Sequence, residues 1–221
     1  MKKVAVLVAG GVGSRMKSTL PKQFLLIKQK PILYYTLKIF FEADDDFEII
    51  LVLPKEYFEL GMDIIAADFN QKNIKLTEGG ESRFHSVQNG LKLVPDNSVV
   101  FVHDAVRCLL SKDLIIRCYE TAMHKGSAIP VVNSKDSIRM IAGETHQSIN
   151  RDAVKLVQTP QVFLSNLILP AFQTEYSPSF TDEASVLEHQ GIELHLVEGE
   201  ENNIKITHPL DIYIAEKILS F

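Results

Sequence analysis

Near the start of the chain, Ala9-Gly10-Gly11-Val12-Gly13-Ser14-Arg15-Met16 is followed closely by Pro21-Lys22-Gln23. These residue types suit a phosphate. Glycines let a backbone turn tightly and bring its N–H groups close to an anion. Arginine adds a planar set of donors, and lysine a compact positive charge. Two familiar loops fail against these letters. A dinucleotide fingerprint needs G-x-G-x-x-G, but from Gly11 the chain reads G-V-G-S-R-M, with Met16 where the third glycine belongs. A Walker A loop must end in G-K-[ST], and no such ending is present. What remains is a glycine loop with Arg15 and Lys22, equally compatible with a structural turn that carries surface cations.

The surrounding pattern indicates what would hold such a loop. Residues 4–9 form a continuous apolar run, as in a strand buried on both faces. Residues 48–53, stopped by Pro54, and residues 99–102 read the same way, with shorter strands near 74–77, 128–132 and 154–157. Between them, residues 32–41, 60–69, 83–93 and 112–125 carry helical patterning. This alternation predicts a Rossmann-like three-layer αβα fold of the α/β class with a mostly parallel central sheet. Residues 134–152 break the rhythm: they are polar, with short alternating stretches on either side of Gly143. They predict a protruding β-hairpin arm, too poor in apolar residues to stand alone and so expected to pack on a second copy of the chain. A surface loop is the alternative. No repeat or linker composition divides the chain, so one domain over residues 1–221 is expected.

Composition narrows the function classes. The 221 residues include 23 Lys+Arg and 28 Asp+Glu, for a net charge of −5. That balance argues against a nucleic-acid partner but permits a local cationic pocket. No apolar stretch approaches the ~20 residues of a membrane span. The short run after Met1-Lys2-Lys3 lacks the form of a secretory leader, and Cys108 and Cys118 form no CxxC unit. A cytoplasmic protein with two reduced thiols is expected.

Four further strings stand in order behind the glycine loop. They are Glu78-Gly79-Gly80-Glu81-Ser82-Arg83 with Ser86, and Val102-His103-Asp104-Ala105-Val106-Arg107. Then come Arg151 leading to Gln158-Thr159-Pro160-Gln161, with Thr181-Asp182-Glu183-Ala184, and finally Glu198-Gly199 with Asn203-Ile204-Lys205-Ile206-Thr207. Together the five strings resemble the nucleotidyltransferases of the polyol-phosphate cytidylyltransferase group. Over nearly the whole chain they are most similar to the 2-C-methyl-D-erythritol 4-phosphate cytidylyltransferase family.

The resemblance implies transfer of CMP from CTP to a polyol phosphate, with Mg²⁺ as the divalent ion. It also implies a homodimer whose arm crosses to the neighbouring subunit. Arg15 and Lys22 would stabilise the pentavalent transition state, while Ala9, Gly10, Gly11 and Gly13 hold the nucleotide. Gly80, Arg83 and Ser86 correspond to the cytidine-recognition segment, and Asp104 to a ribose or metal contact. Arg107, Ser137, Arg151, Thr159 and Lys205 match positions that bind or orient the second substrate. The residues themselves also permit plainer roles: a helix-cap serine at Ser86, a partnered structural aspartate at Asp104, an exposed lysine in a strand-like Ile-Lys-Ile at Lys205. His103 reads as structural, and Asp182 and Glu183 as the cap and opening of a helix.

Cys108, Ser137, Glu81 and Ser14 depart from the family's commoner Pro, Thr, Asp and basic residue at those places, but none of these departures removes a key cation. Ribitol 5-phosphate is the rival second substrate. A non-catalytic nucleotide-binding module is a rival of another class, and a nicotinamide-dependent oxidoreductase fails with the fingerprint at Met16.

Overall fold

The computed structural model of the chain describes residues 1–9 and 20–220. Its first half alternates strands and helices: β1 (Lys2–Val8), the short strands β2 (Leu26–Ile27) and β3 (Lys30–Pro31), α1 (Ile32–Ala43), β4 (Glu48–Leu53), α2 (Phe58–Asp68), β5 (Ile74–Glu78), α3 (Arg83–Leu91), β6 (Ser98–Asp104) and α4 (Lys112–Lys125). Beyond these come β7 (Ser127–Asn133), β8 (Ile138–Ala142), β9 (Thr145–Ile149), β10 (Lys155–Val157), β11 (Gln161–Leu164), α5 (Ser165–Ala171), α6 (Glu183–His189), β12 (Leu196–Glu198) and α7 (Pro209–Ile218).

Alternation within the apolar strands builds three layers. Ala5 and Leu7 of β1, Ile49 and Leu51 of β4, and Phe101 of β6 face one side, under α1, α2 and α4. Val4 and Val6, Ile50 and Val52, and Val100 and Val102 face the other, under α3, α5 and α6. Every residue of β4 and β6 is buried, which explains the apolar runs at residues 49–53 and 99–102 within them. The ends of α4 are chemically marked. The Ser111 side chain accepts from the Leu114 N–H, and Gly126 closes the helix at φ 89°.

The expected mostly parallel sheet is present, running β10-β7-β11-β6-β1-β4-β5 with β12 added on β7. β6, β1, β4 and β5 are mutually parallel, whereas β11 runs antiparallel to both β6 and β7. β10 also lies antiparallel to β7, but Val157 faces Val131 while Val162 faces Ala128. Two extra residues therefore fall between β10 and β11, a bulge that re-aims Gln158 and Thr159. The arm is an exposed antiparallel hairpin of β8 and β9, turning at Gly143 with φ 59°. One expectation changes. Ile204-Lys205-Ile206 joins no strand ladder; the Ile206 N–H donates to the Val106 carbonyl at 3.1 Å, and Ile206 sits in a small core with Val106, Cys108 and Ala215.

Candidate active site

The carboxyl ends of β1 and β6 open into a cleft of about 310 Å³, lined by Ala9, Lys22, Gly80, Arg83, Ser86, Asp104 and Lys205 among others. This is the edge at which open α/β sheets bind ligands. Gly10, Gly11, Gly13 and Arg15 lie outside the described residues. The turn beyond them is anchored. Buried Gln23 donates from Nε2 to the Ala9 carbonyl at 2.6 Å, tying the Pro-Lys-Gln turn to the end of β1. Lys22 Nζ donates to the Ile206 carbonyl at 3.0 Å, which brings the second lysine-bearing segment alongside the first.

Asp104 organises the cations. Its carboxylate lies 3.2 Å from Arg83 Nε, 2.9 Å from Lys205 Nζ and 3.6 Å from Arg107 Nε. Burial alone would raise such an acid, but the attraction of Arg83, Lys205 and Arg107 outweighs it and holds Asp104 well below the usual carboxylate range. Arg107 also donates to the Asn203 carbonyl at 2.8 Å. Its Nε, buried, has no hydrogen-bond partner among the described residues. A second hollow adjoins the first across Arg83, Asp104 and Lys205, lined further by Arg107, Thr159 and Asp182. The cationic cluster is thus the wall between two hollows, suited to two anions that must meet.

Several expected residues take inward roles. Ser86 Oγ accepts from the Gly80 N–H at 3.0 Å and donates to the Ser82 carbonyl at 3.0 Å, so it closes the turn before α3. Gly80 has a steric reason to be glycine, because a Cβ there would meet His85 Cβ at 2.4 Å. Gly80→Ala is therefore expected to cost about 1–3 kcal/mol of stability, read from the denaturant midpoint; an unchanged midpoint would show that the turn relaxes freely. Thr159, buried, accepts from the Asp104 N–H at 3.1 Å and donates to His103 Nδ1 at 3.0 Å. His103 Nε2 in turn donates to the Arg107 carbonyl at 3.2 Å. His103 is thus a neutral structural clasp, and burial pushes it down to about 3.

That clasp gives a pH dependence. His103 and Asp104 both titrate lower in the folded chain than their ordinary values of 6.5 and 3.8. Each contributes stability that is present above its unfolded value and lost as pH falls toward its folded one. Glu183, which burial pushes up against the pull of Arg83, works in the opposite sense. The urea midpoint should decline from pH 6.5 downward, and His103→Gln should flatten the upper part of that decline. An identical slope in the variant would contradict the assignment.

Two expected residues stand apart. Ser137 is exposed just before β8, and Arg151, exposed in the turn that leaves the arm, donates to the Lys135 carbonyl at 3.2 Å. Neither lines the cleft of its own chain. Conversely, Glu183 and Gln158 carry structural weight that the motifs alone did not assign. Glu183, 1% exposed, receives both terminal nitrogens of Arg83, the second at 3.2 Å. Gln158 exchanges hydrogen bonds with the Glu200 backbone at 2.8 and 3.1 Å. A Cβ on Gly199 would strike Gln158 Oε1 at 2.5 Å, which accounts for the glycine after Glu198. Both cysteines are free and buried, and burial pushes their thiols up to about 12, which disfavours a thiolate nucleophile.

With this geometry in place, comparison with known proteins is specific. The family model for 2-C-methyl-D-erythritol 4-phosphate cytidylyltransferase matches residues 3–220. The chain is 44% identical to the protein of that name from Bacteroides fragilis, over 99% of this chain and 100% of that one. It is 43% identical to the Bacteroides thetaiotaomicron protein of the same name at the same coverage. Among solved structures, 4-diphosphocytidyl-2C-methyl-D-erythritol synthase from Anaerococcus prevotii superposes with a TM-score of 0.86 at 28% identity, covering 100% of this chain and 99% of that one. The Thermus thermophilus 2-C-methyl-D-erythritol 4-phosphate cytidylyltransferase gives 0.76 at 30% identity, covering 99% and 98%.

Proposed function

The chain belongs to the 2-C-methyl-D-erythritol 4-phosphate cytidylyltransferase family, and from that premise we propose how its paired hollows carry the reaction. The activity is transfer of CMP from CTP to 2-C-methyl-D-erythritol 4-phosphate, giving 4-diphosphocytidyl-2-C-methyl-D-erythritol and pyrophosphate. A phosphate oxygen of the polyol attacks the α-phosphorus of CTP in line, and pyrophosphate leaves. Two anions must approach, and charge grows on the non-bridging oxygens, so positioning and electrostatic stabilisation do most of the catalysis.

CTP takes the hollow bounded by Ala9, Gly80 and Ser86, and Gly10, Gly11 and Gly13 are assigned to hold the nucleotide with them. Lys22, with Arg15, stabilises the charge that grows at phosphorus. The polyol phosphate takes the adjoining hollow, where Arg107 and Lys205 meet its phosphate and orient it for attack. The observation that carries this reading is the gathering of Arg83, Arg107 and Lys205 on Asp104 at the boundary of the two hollows.

Among the described residues no cluster of three or more His, Cys, Asp or Glu side chains could hold a resident metal. Asp104 would be the protein ligand of Mg²⁺, with substrate phosphates and water completing its shell. When bound, Mg²⁺ would neutralise triphosphate charge.

The functional unit is a single domain acting as a homodimer through the arm. Supporting this, Met140 and Ile141 of β8 are 45% and 69% exposed, and β10 exposes Leu156 and Val157. Ser137 and Arg151 then serve the neighbouring copy's cleft. Among the described residues no helix is long and apolar enough to cross a membrane, which accords with a cytoplasmic enzyme.

The test is pyrophosphate release from CTP and Mg²⁺ with either 2-C-methyl-D-erythritol 4-phosphate or ribitol 5-phosphate. Release is expected to be faster with the first. No release with either, or faster release with ribitol 5-phosphate, overturns the reading.

A further inference from the structure

Glu183 is a fully buried carboxylate that the reaction scheme leaves idle. Helix capping does not account for it, because Asp182 already accepts from the Ser185 N–H at 2.9 Å. Instead, the start of α6 is clamped to β11. Gln161 Nε2 donates to Asp182 Oδ2, and Gln161 Oε1 accepts from the Ala184 N–H, both at 2.8 Å. The residue between those two contacts is Glu183, and its two oxygens meet Nη1 and Nη2 of Arg83. Burying an acid this deeply is unfavourable unless its charge is returned in good geometry, and the two-pronged pair with arginine does that.

The consequence lies one residue further on. One N–H of each terminal nitrogen goes to Glu183, which fixes the guanidinium plane so that Nε faces Asp104 and reaches Oδ1 at 3.2 Å. Oδ2 stays with Lys205 at 2.9 Å. An unrestrained guanidinium would favour both oxygens of a carboxylate. We infer that Glu183 is a positioning residue for turnover. By holding the fork of Arg83, it confines Arg83 to one oxygen of Asp104, keeps the other for Lys205, and so sets where the Lys205 ammonium stands in the cleft. This rests on the role given to Lys205 under Proposed function.

The experiment is a double-mutant cycle in kcat on the full chain, with Glu183→Gln and Lys205→Met alone and together. Glu183→Gln should lower kcat about 10- to 100-fold with the KM for CTP little changed. On the Lys205→Met background the same change should move kcat within about twofold, since its route to the substrate is gone. A loss of stability alone would instead cost the same factor on both backgrounds. Arg83→Lys keeps a charge and loses the fork, so it should show the same coupling to Lys205, and it decides the matter if Glu183→Gln does not fold. Losses that multiply, or no loss from either variant, overturn the inference alone. Full turnover in Lys205→Met would overturn it together with the Lys205 assignment.

Discussion

Lys22→Met should lower kcat by about 10²–10³-fold, the usual effect of removing one preorganised donor from a developing oxyanion, while leaving the melting temperature nearly unchanged. The structure supports both halves of this expectation. Lys22 reaches the cleft from a short turn that Gln23 and Phe24 anchor by their own burial, so the turn does not depend on the ammonium group. One of its contacts is to the Ile206 carbonyl at the cleft margin. A methionine keeps the stem and removes the charge. Pyrophosphate release and thermal unfolding together check the point, and near-normal turnover in a folded variant would remove Lys22 from the mechanism.

Asp104→Ala should be the most destabilising single change in the site. Asp104 is 9% exposed and faces Arg107 at 12%, Arg83 at 29% and Lys205 at 40%. Removing it leaves Arg107 buried with no opposing charge at that place and turns the wall between the hollows into mutual repulsion. Breaking a buried pair from one side costs about 3–5 kcal/mol. Lys205, the most exposed partner, adds least because water screens it. For a chain of this length the loss corresponds to a melting point roughly 10 °C lower. Millimolar pyrophosphate should restore more stability to Asp104→Ala than it adds to the unaltered chain, because an anion can replace the lost carboxylate. A melting point unchanged by the substitution would mean that the cations disperse into solvent without cost.

Much of the fold was legible in the sequence because it rests on local chemistry. The uninterrupted apolar runs of β1, β4 and β6 mark strands covered on both faces, and α4 announces itself with Ser111 at one end and Gly126 at the other. What escaped depends on long-range partners. The alternation in Ile204-Lys205-Ile206 looks like a strand, yet no ladder forms; its apolar residues pack instead with α7 and the segment after β6. The two-residue register shift between β10 and β11 is likewise invisible, because at residues 158–160 the letters signal only that a strand stops.

The site divides in the same way. Lys22, Arg107 and Lys205 are singled out through the resemblance of their strings to the family, since their residue types alone also allow surface cations. Glu183 is not. An acidic residue in the first turn of a helix is the commonest kind and needs no partner there. Only the fold shows that this one points inward, to an arginine a hundred positions earlier.

The hydrogen bond from Lys22 to the Ile206 carbonyl also bears on how the protein is made. One wall of the cleft is synthesised well over a hundred residues before the other. During translation the glycine loop and Lys22 emerge long before residues 203–206, so a ribosome-bound chain can complete much of its sheet while its reactive centre remains unassembled. A chain released before Lys205 would keep most of its strands and lack the wall against which Lys22 is held. Premature termination before Lys205 should therefore yield an inert product, which also lacks the small core that Ile206 and α7 complete.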